Sequence, residues 1–244
     1  MNIETKTAPN TTETAIGFIP CYRLPFLSLF HADCMEIMKQ YPDKYFDLAI
    51  VDPPYGIGEH GGKFRGRKKD NYRKIVVHEN KGWDKNIPPY EYWEQLFRVS
   101  KNQMVWGGNY FTENLPASMG WIFWDKLIGG DFSDGEFVWT SFQKAVRKFV
   151  YSYHGDTKGG HTRIHPTQKP IAVYEYCFNY ANITEGMKIL DTHFGSGSIA
   201  LAVDKANRLD KMNLHLTACE IDKEYIDKAI KRISESVKQG TLSF

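Results

Sequence analysis

Residues 46–55, Phe-Asp-Leu-Ala-Ile-Val-Asp-Pro-Pro-Tyr, join a short apolar run to a carboxylate, two prolines and an aromatic ring. The run Phe46–Val51 has the length and composition of a buried strand. The two prolines fix the backbone and remove two N–H donors, so the carbonyl oxygens and the Asp52 carboxylate form an acceptor-rich rim. Such a rim suits a flat ring that carries an amine, with Tyr55 stacked on its face. A rigid turn that binds nothing is the alternative interpretation of this tetrapeptide alone.

A second strand-to-helix junction lies at residues 187–198, Met-Lys-Ile-Leu-Asp-Thr-His-Phe-Gly-Ser-Gly-Ser. Its glycines allow backbone N–H groups to approach a nucleotide-like ligand at the start of a helix. The pattern is not G-x-G-x-x-G, so the dinucleotide fingerprint is not met, and an empty tight turn is the alternative. Glu220 follows the next predicted strand, 25 positions after Gly195 (220 − 195), and is the candidate acceptor for ribose hydroxyls. A helix N-terminal acid favoured by the dipole is the competing explanation.

The remaining chain alternates predicted strands and helices. Strands are predicted at 27–30, 46–51, 103–106, 121–124, 136–141, 147–151, 187–190 and 214–219, and helices at 34–40, 89–100, 170–180, 198–207 and 222–237. This alternation predicts an α/β fold, doubly wound, with a Rossmann-like and mostly parallel sheet in a single domain. We expect a disordered tail over 1–17, because it is polar and rich in threonine, and one domain over 18–244. Loop insertions at 56–86 and 153–168 are the candidates for nucleic-acid recognition.

Composition limits the partners that the chain can bind. The net charge of the 244 residues is only +2, so contact with nucleic acid must come from a local basic patch. Such a patch begins 8 positions after Tyr55 (63 − 55). Its candidate phosphate-binding residues are Lys63, Arg65, Arg67, Lys68, Lys69 and Arg73. A solvated charged loop is the alternative.

The cysteines indicate neither a metal site nor a redox motif. None of the four stands in a C-x-x-C spacing, and the histidines lack metal-ligand spacing, so no metal is expected. Free thiols suit a reducing cytoplasm, which is the expected location. No apolar run approaches ~18 residues, so no membrane span is expected. The start of the chain also lacks a secretion signal pattern.

A third motif, His-Pro-Thr-Gln-Lys-Pro at 165–170, precedes the glycine turn. Thr167 and Lys169 are candidates to meet a polar cofactor group, although helix capping alone would also explain Thr167. With Asp-Pro-Pro-Tyr at 52–55 and Asp-Thr-His-Phe-Gly-Ser-Gly at 191–197, the chain resembles the β class of DNA amino-methyltransferases over roughly 27–237. In that family the catalytic motif precedes the cofactor motif, a circular permutation of the usual order, and the order here is the same.

The resemblance implies transfer of a methyl group from S-adenosylmethionine to an exocyclic amine of a base flipped out of DNA. The implied catalytic residues are Asp52, Pro53, Pro54 and Tyr55, with Asp52 and the Pro53 carbonyl holding the amine. The implied cofactor-binding residues are Asp33, Cys34, Asp52, Thr167, Lys169, Asp191, Phe194, Gly195, Ser196, Gly197, Glu220 and Ile221.

The chain departs from the family pattern in three places. His31-Ala32 stands where a glycine usually precedes Asp33, and Thr192-His193 replaces the commoner residues after Asp191. We expect these differences to alter the pocket and not the reaction. The chain between the first two motifs is also too short for a separate target-recognition domain, so loops must read the DNA sequence.

The aspartate of the first motif favours adenine as the target, because Ser-Pro-Pro-Tyr is commoner for cytosine N4. The sequence therefore predicts a site-specific adenine-N6 DNA methyltransferase of the restriction-modification type. Methylation of cytosine N4 in DNA, or of RNA, is the alternative within the same chemistry. A catalytically silent nucleic-acid-binding subunit is the alternative of another class. Members of the family often form dimers, so a homodimer is a further expectation.

Overall fold

The computed structural model describes residues 17–58, 82, 84–128, 133–154 and 163–241. Within these residues the strands and helices follow one another in the predicted order, with one further strand at the start. They are β1 (Tyr22–Leu24), β2 (Leu27–His31), α1 (Cys34–Lys39), β3 (Phe46–Val51), α2 (Tyr90–Val99), β4 (Ser100–Trp106), β5 (Trp121–Asp125), β6 (Gly135–Thr140), β7 (Arg147–Val150), α3 (Ile171–Ala181), β8 (Lys188–Asp191), α4 (Ser198–Asp210), β9 (His215–Glu220) and α5 (Lys223–Thr241). A short 3-10 helix, Gly108–Tyr110, follows β4.

The strands form one sheet in the order β1-β2-β9-β8-β3-β4-β6-β5-β7. The five strands from β2 to β4 are mutually parallel, and β5 pairs with β7 in parallel. Strand β1 is antiparallel to β2, and β6 is antiparallel to both of its neighbours. The mostly parallel sheet that the sequence predicts is therefore confirmed.

Helices cover both faces of the sheet, and β3 shows why. Leu48 and Ile50 point to one face, into a core shared with α3, α4 and α5. Ala49 and Val51 point to the other, into a core shared with α1 and α2. Successive strand residues alternate between faces, so a strand buried on both sides must be continuously apolar. This explains the apolar run at 46–51 and confirms the doubly wound fold.

The side of the sheet on which the chain adds its next strand changes between the central strands β3 and β8. From β3 the chain continues to β4 on one side, and from β8 it continues to β9 on the other. In doubly wound sheets a crevice opens at such a switch point, outside the carboxyl ends of the strands. Asp52 follows β3 and Asp191 ends β8, so two of the three sequence motifs meet there.

Several expectations lie outside the described residues. They are the tail 1–16, the basic segment 63–74, and the parts of the two insertions at 59–81, 83 and 155–162. Strand β1 was not predicted, because three residues with a central arginine carry little strand signal. Among the described helices, none is long and apolar enough to cross a membrane.

Candidate active site

Three carboxylates stand at the carboxyl edge of the central strands. Asp52 follows β3, Asp191 ends β8 and Glu220 ends β9. Burial raises the pKa of Asp191 to about 8, with a further contribution from the charges of Asp52 and Glu220. Close carboxylates without enough cations disfavour their own ionisation, so this edge favours a positively charged ligand.

Asp52 lies at the centre of a buried ionic group that we call the Asp52 cluster, comprising Asp52, Tyr55, Lys126, Glu136 and Lys169. The Tyr55 hydroxyl lies 2.6 Å from Asp52 Oδ1 and 2.5 Å from Glu136 Oε1. Lys169 Nζ lies 2.6 Å from Asp52 Oδ2 and 3.1 Å from Glu136 Oε1. Lys126 Nζ contacts the other Glu136 oxygen at 3.1 Å. Each carboxylate is thus paired with at least one ammonium.

The cluster distinguishes its two carboxylates electrostatically. Burial raises the pKa of both, but Lys169 and Lys126 lower that of Glu136 to about 2. For Asp52 burial prevails over Lys169, and the Glu136 charge adds to it, so its pKa is raised. Burial lowers the pKa of Lys169, yet Asp52 and Glu136 more than offset this and the pKa is raised. Glu136 and Lys169 are therefore charged at neutral pH.

The ring of Tyr55 is held between other groups. It stacks on Tyr110 at a centroid distance of 4.9 Å and an interplanar angle of 15°, and it meets the edge of Phe111. A Cβ at Gly107 would lie 2.4 Å from the Tyr55 ring, so only glycine fits there. Gly107 also has φ +65°, a conformation in which glycine is unstrained. The 3-10 turn after β4 therefore shapes the place of Tyr55.

The glycine turn between β8 and α4 wraps around Glu220. Gly195 and Gly197 have φ of +51° and +71°, the left-handed region that favours glycine. Gly195 N–H donates to Glu220 Oε2 at 2.9 Å, and the N–H groups of Ile221 and Asp222 donate to Oε1. Among the residues that the structure describes, Oε2 accepts this one bond, which leaves it a second acceptor position.

The residues before α1 lie beside the end of β9, at the carboxyl edge of the sheet. Asp33 Oδ1 accepts the Met35 N–H at 2.7 Å and caps α1. Ala32 N–H donates to the Glu220 carbonyl at 3.2 Å, so Asp33 and Cys34 stand next to the end of β9. Ile221 is 65 % exposed there and offers an apolar surface to a flat ring.

The third motif joins the two parts of the site. The His165 ring would lie 3.6 Å from a Cβ at Gly195, and Thr167 Oγ1 lies 3.1 Å from His165 Nδ1. Lys169 is only 4 % exposed and turns into the Asp52 cluster. Of the predicted cofactor residues, Thr167 thus lies near the glycine turn, while the Lys169 ammonium lies with the catalytic motif. Phe194 is buried and packs against Gly197.

Sequence reasoning missed Glu136, Lys126 and Gly107. The interpretation of 136–141 as a strand was correct, but it assigned no role to the glutamate at its start. A carboxylate that opens an otherwise apolar strand is the signal available, because a buried charge needs a partner. The predicted DNA-contacting residues 63–73 lie outside the part of the chain that the structure describes.

The crevice, the glycine turn and the acceptor-rich rim at Asp52 are the features expected of a nucleotide-cofactor-dependent transferase of the doubly wound class. Residues 105–231 match the N6_N4_Mtase family, described as DNA methylase. This match spans more than half of the chain, so the chain belongs to that family of S-adenosylmethionine-dependent DNA methyltransferases.

Individual relatives are distant. The chain is 21% identical over 282 residues to the Type II methyltransferase M.ScaI of Streptomyces caespitosus, covering 88% of this chain and 83% of the relative. It is 23% identical over 250 residues to the Type II methyltransferase M.HpaI of Haemophilus parainfluenzae, covering 84% and 73%.

Solved structures show the same fold. One is the PvuII DNA methyltransferase (cytosine-N4-specific), with a TM-score of 0.56 at 12% identity, covering 92% of this chain and 95% of the other. A second is the M1.HpyAVI–SAM complex, with a TM-score of 0.53 at 20% identity, covering 84% and 99%.

The described residues fit S-adenosylmethionine by the chemistry of its groups. The carboxyl groups of Asp191 and Glu220, which end neighbouring strands, suit its ammonium group. The free acceptor position on Glu220 suits a ribose hydroxyl, which is a donor. The exposed Ile221 side chain suits the face of its adenine.

Proposed function

We propose that this DNA methyltransferase transfers the methyl group to the N6 amine of adenine. One observation supports this proposal most directly. The first position of the motif holds a carboxylate, Asp52, and the buried ammonium of Lys169 lies within hydrogen-bond distance of it. A serine at this position, commoner in cytosine-N4 enzymes, would leave Lys169 paired with Glu136 alone among the two carboxylates. The wider family includes both targets, so the base is the part of the function that needs a test.

In this proposal the residues of the chain align an amine and stabilise it as it attacks. The base leaves the helix, because its amine cannot otherwise reach the methyl group, which the bound cofactor presents on its sulfonium. Asp52 and the buried Pro53 carbonyl accept the two N–H groups of the amine, and Tyr55 supports the base. The proton leaves after methyl transfer, since a neutral exocyclic amine is too weak an acid for Asp52 to deprotonate first. Alignment and oriented acceptors supply the catalysis.

The cofactor site of the proposal comprises the glycine turn and the segments beside it. Its residues are Asp33, Cys34, Thr167, Lys169, Asp191, Phe194, Gly195, Ser196, Gly197, Glu220 and Ile221, with Asp52 at the border to the base. The DNA backbone would contact the basic segment, Lys63, Arg65, Arg67, Lys68, Lys69 and Arg73. All four cysteines are free, which agrees with action in the cytoplasm. We also propose that the protein forms a homodimer, which a measurement of its mass in solution by light scattering would test.

The experiment is identification of the modified nucleoside. The protein is incubated with labelled cofactor and, in separate reactions, mixed-sequence genomic DNA or total RNA, the nucleic acid is digested, and the nucleosides are separated. We expect N6-methyldeoxyadenosine. N4-methyldeoxycytidine would overturn the base assignment, label in RNA alone would overturn the DNA substrate, and cofactor binding without any transfer would indicate a silent subunit.

A further inference from the structure

Both oxygens of the catalytic carboxylate are already engaged. Tyr55 holds Asp52 Oδ1 at 2.6 Å and Lys169 holds Oδ2 at 2.6 Å. The proposed function requires Asp52 to accept an N–H group of the target base. Each oxygen keeps a second acceptor position, but the Tyr55 and Lys169 bonds already draw on its charge, so the strength of the bond to the amine depends on what else these two donors can bind.

Glu136 is a second acceptor for the same two donors. Its Oε1 lies 2.5 Å from the Tyr55 hydroxyl and 3.1 Å from Lys169 Nζ. A tyrosine hydroxyl has a single proton and donates to one acceptor at a time. Because Tyr55 stands at donor distance from both carboxylates, its hydrogen bond can move from Asp52 to Glu136 without displacement of the ring.

Among the described residues, Glu136 has a second ammonium partner that Asp52 lacks. Lys126 holds Glu136 Oε2 at 3.1 Å, and the Glu136 side chain is 12 % exposed on the sheet strand β6. Asp52 lies beyond the end of β3, at the mouth of the crevice. The formal charges of Asp52, Glu136, Lys126 and Lys169 sum to zero, and movement of the two donors toward Glu136 does not change this sum.

We propose, on the basis of the function proposed above, that Glu136 is a positioning residue that takes over Tyr55 and Lys169 when the target amine binds Asp52. The exchange strengthens an oxygen of Asp52 as an acceptor for the amine and keeps the tyrosine and lysine in place. No bond other than hydrogen bonds changes in this exchange, and Tyr55 keeps its proton.

The test compares Glu136→Gln with Glu136→Asp and with the control Asp125→Asn. Asp125 ends the neighbouring strand β5 next to Lys126, but its carboxylate pairs with Lys148 at 2.8 Å and accepts the Leu127 N–H, outside the ion pairs of the cluster. The glutamine variant keeps the shape but loses the charge that attracts Lys169, whereas aspartate restores the charge. For each protein we would measure single-turnover methyl transfer to DNA, the KM for DNA, the Kd for S-adenosylmethionine, and Tm.

We expect Glu136→Gln to lower the transfer rate about 10- to 100-fold, the scale of a misplaced reacting group. The cofactor Kd and the KM for DNA should stay within about threefold of wild type, a change below roughly 0.7 kcal/mol. Glu136→Asp should recover part of the rate. Asp125→Asn should transfer at the wild-type rate.

Two results would overturn the inference while wild-type activity stands. One is an unchanged transfer rate in Glu136→Gln. The other is a rate loss that is matched by equal losses in cofactor affinity and Tm and is not recovered by aspartate, which would show a structural role only. Wild-type protein that modifies no DNA adenine would instead refute the proposed function, so the two failures are distinguishable.

Discussion

Ser198 Oγ donates a hydrogen bond of 2.7 Å to the backbone carbonyl of Lys169. This bond ties the first residue of α4, at the glycine turn, to the residue whose ammonium holds Asp52. Arg232 Nη1 donates to Ser198 Oγ and to the Ser196 carbonyl, both at 2.9 Å, and so fixes the same turn from α5. The connection runs through the backbone of Lys169, so the cofactor turn does not depend on the Asp52 side chain.

Replacement of Asp52 should therefore separate transfer from cofactor binding. We expect Asp52→Asn to lower single-turnover methyl transfer about 100-fold or more, because it removes the charged acceptor. The Kd for S-adenosylmethionine, measured by calorimetry, should change less than about threefold.

The control for this variant is an aspartate on β3, the strand that precedes Asp52. Asp47 lies near the amino-terminal end of β3, and its carboxylate accepts hydrogen bonds from the Lys101 ammonium and from the Lys188 backbone N–H. Asp47→Asn should lower Tm and leave transfer unchanged. Wild-type activity in Asp52→Asn would exclude the role assigned to the carboxylate.

A variant of Glu220 should show the reverse pattern. Its carboxylate accepts three backbone N–H groups, and an amide in its place would point a donor at one of them. We expect Glu220→Gln to raise the Kd for S-adenosylmethionine about 10- to 100-fold, or roughly 1.4 to 2.8 kcal/mol. Glu224→Gln, an exposed residue of α5 that pairs with Lys228, is the control. Calorimetry that gives equal Kd values for the two variants would contradict the assignment of Glu220.

The strands that carry the motifs could be predicted from sequence because each is encoded locally. The run 46–51 is apolar on both faces, and a glycine turn follows the run 187–190, so strand, turn and order are visible without the fold. The cluster partner Glu136 is not encoded in this way. It reaches Asp52 because β6 inserts antiparallel between β4 and β5, and the order of strands in a sheet depends on contacts between distant segments.

Lys169 shows the same limit within a recognised motif. The sequence placed it in the third motif and on the cofactor side, yet the direction of its side chain follows from two buried carboxylates on separate strands. A buried ammonium is stable only where such partners converge. The resemblance located the residue, and only the three-dimensional packing shows what its ammonium contacts.

Two glycines allow the place of Tyr55 to be tested against a matched backbone change. Gly107 and Gly186 both have left-handed φ, +65° and +79°. A Cβ at Gly107 would lie 2.4 Å from the Tyr55 ring, whereas a Cβ at Gly186 would meet nothing within 4 Å. Each alanine variant should lose about 1 kcal/mol of stability from the backbone alone.

Only Gly107→Ala should displace Tyr55. We expect it to lower methyl transfer about tenfold or more, with Gly186→Ala within about twofold of wild type. Denaturant unfolding and single-turnover assays measure the two effects. Equal transfer rates in the two variants would show that the position of the Tyr55 ring is not needed.

His193 gives the fold a specific sensitivity to acid. It follows Asp191 in the glycine turn, and its Nδ1 lies 2.9 Å from Thr192 Oγ1. Burial lowers the pKa of His193 from 6.5 to about 4, while the Asp33 charge acts weakly in the opposite direction. The unfolded chain thus takes up a proton near pH 6.5, and the folded protein does so only near pH 4. Between these values the unfolded state holds more protons, so the free energy of unfolding falls as pH falls.

The measurement is urea unfolding of wild type and His193→Asn at several pH values between 7 and 4. Above pH 6.5 the difference between the two proteins should be constant. Below it, wild type should lose up to about 1.4 kcal/mol per pH unit relative to the variant, and the difference should level off below pH 4. Subtraction removes groups that titrate alike in both proteins, among them Asp191, whose raised pKa changes stability with the opposite sign over this range. A difference that stays constant from pH 7 to 4 would mean that His193 takes up its proton at the same pH in the folded and unfolded states.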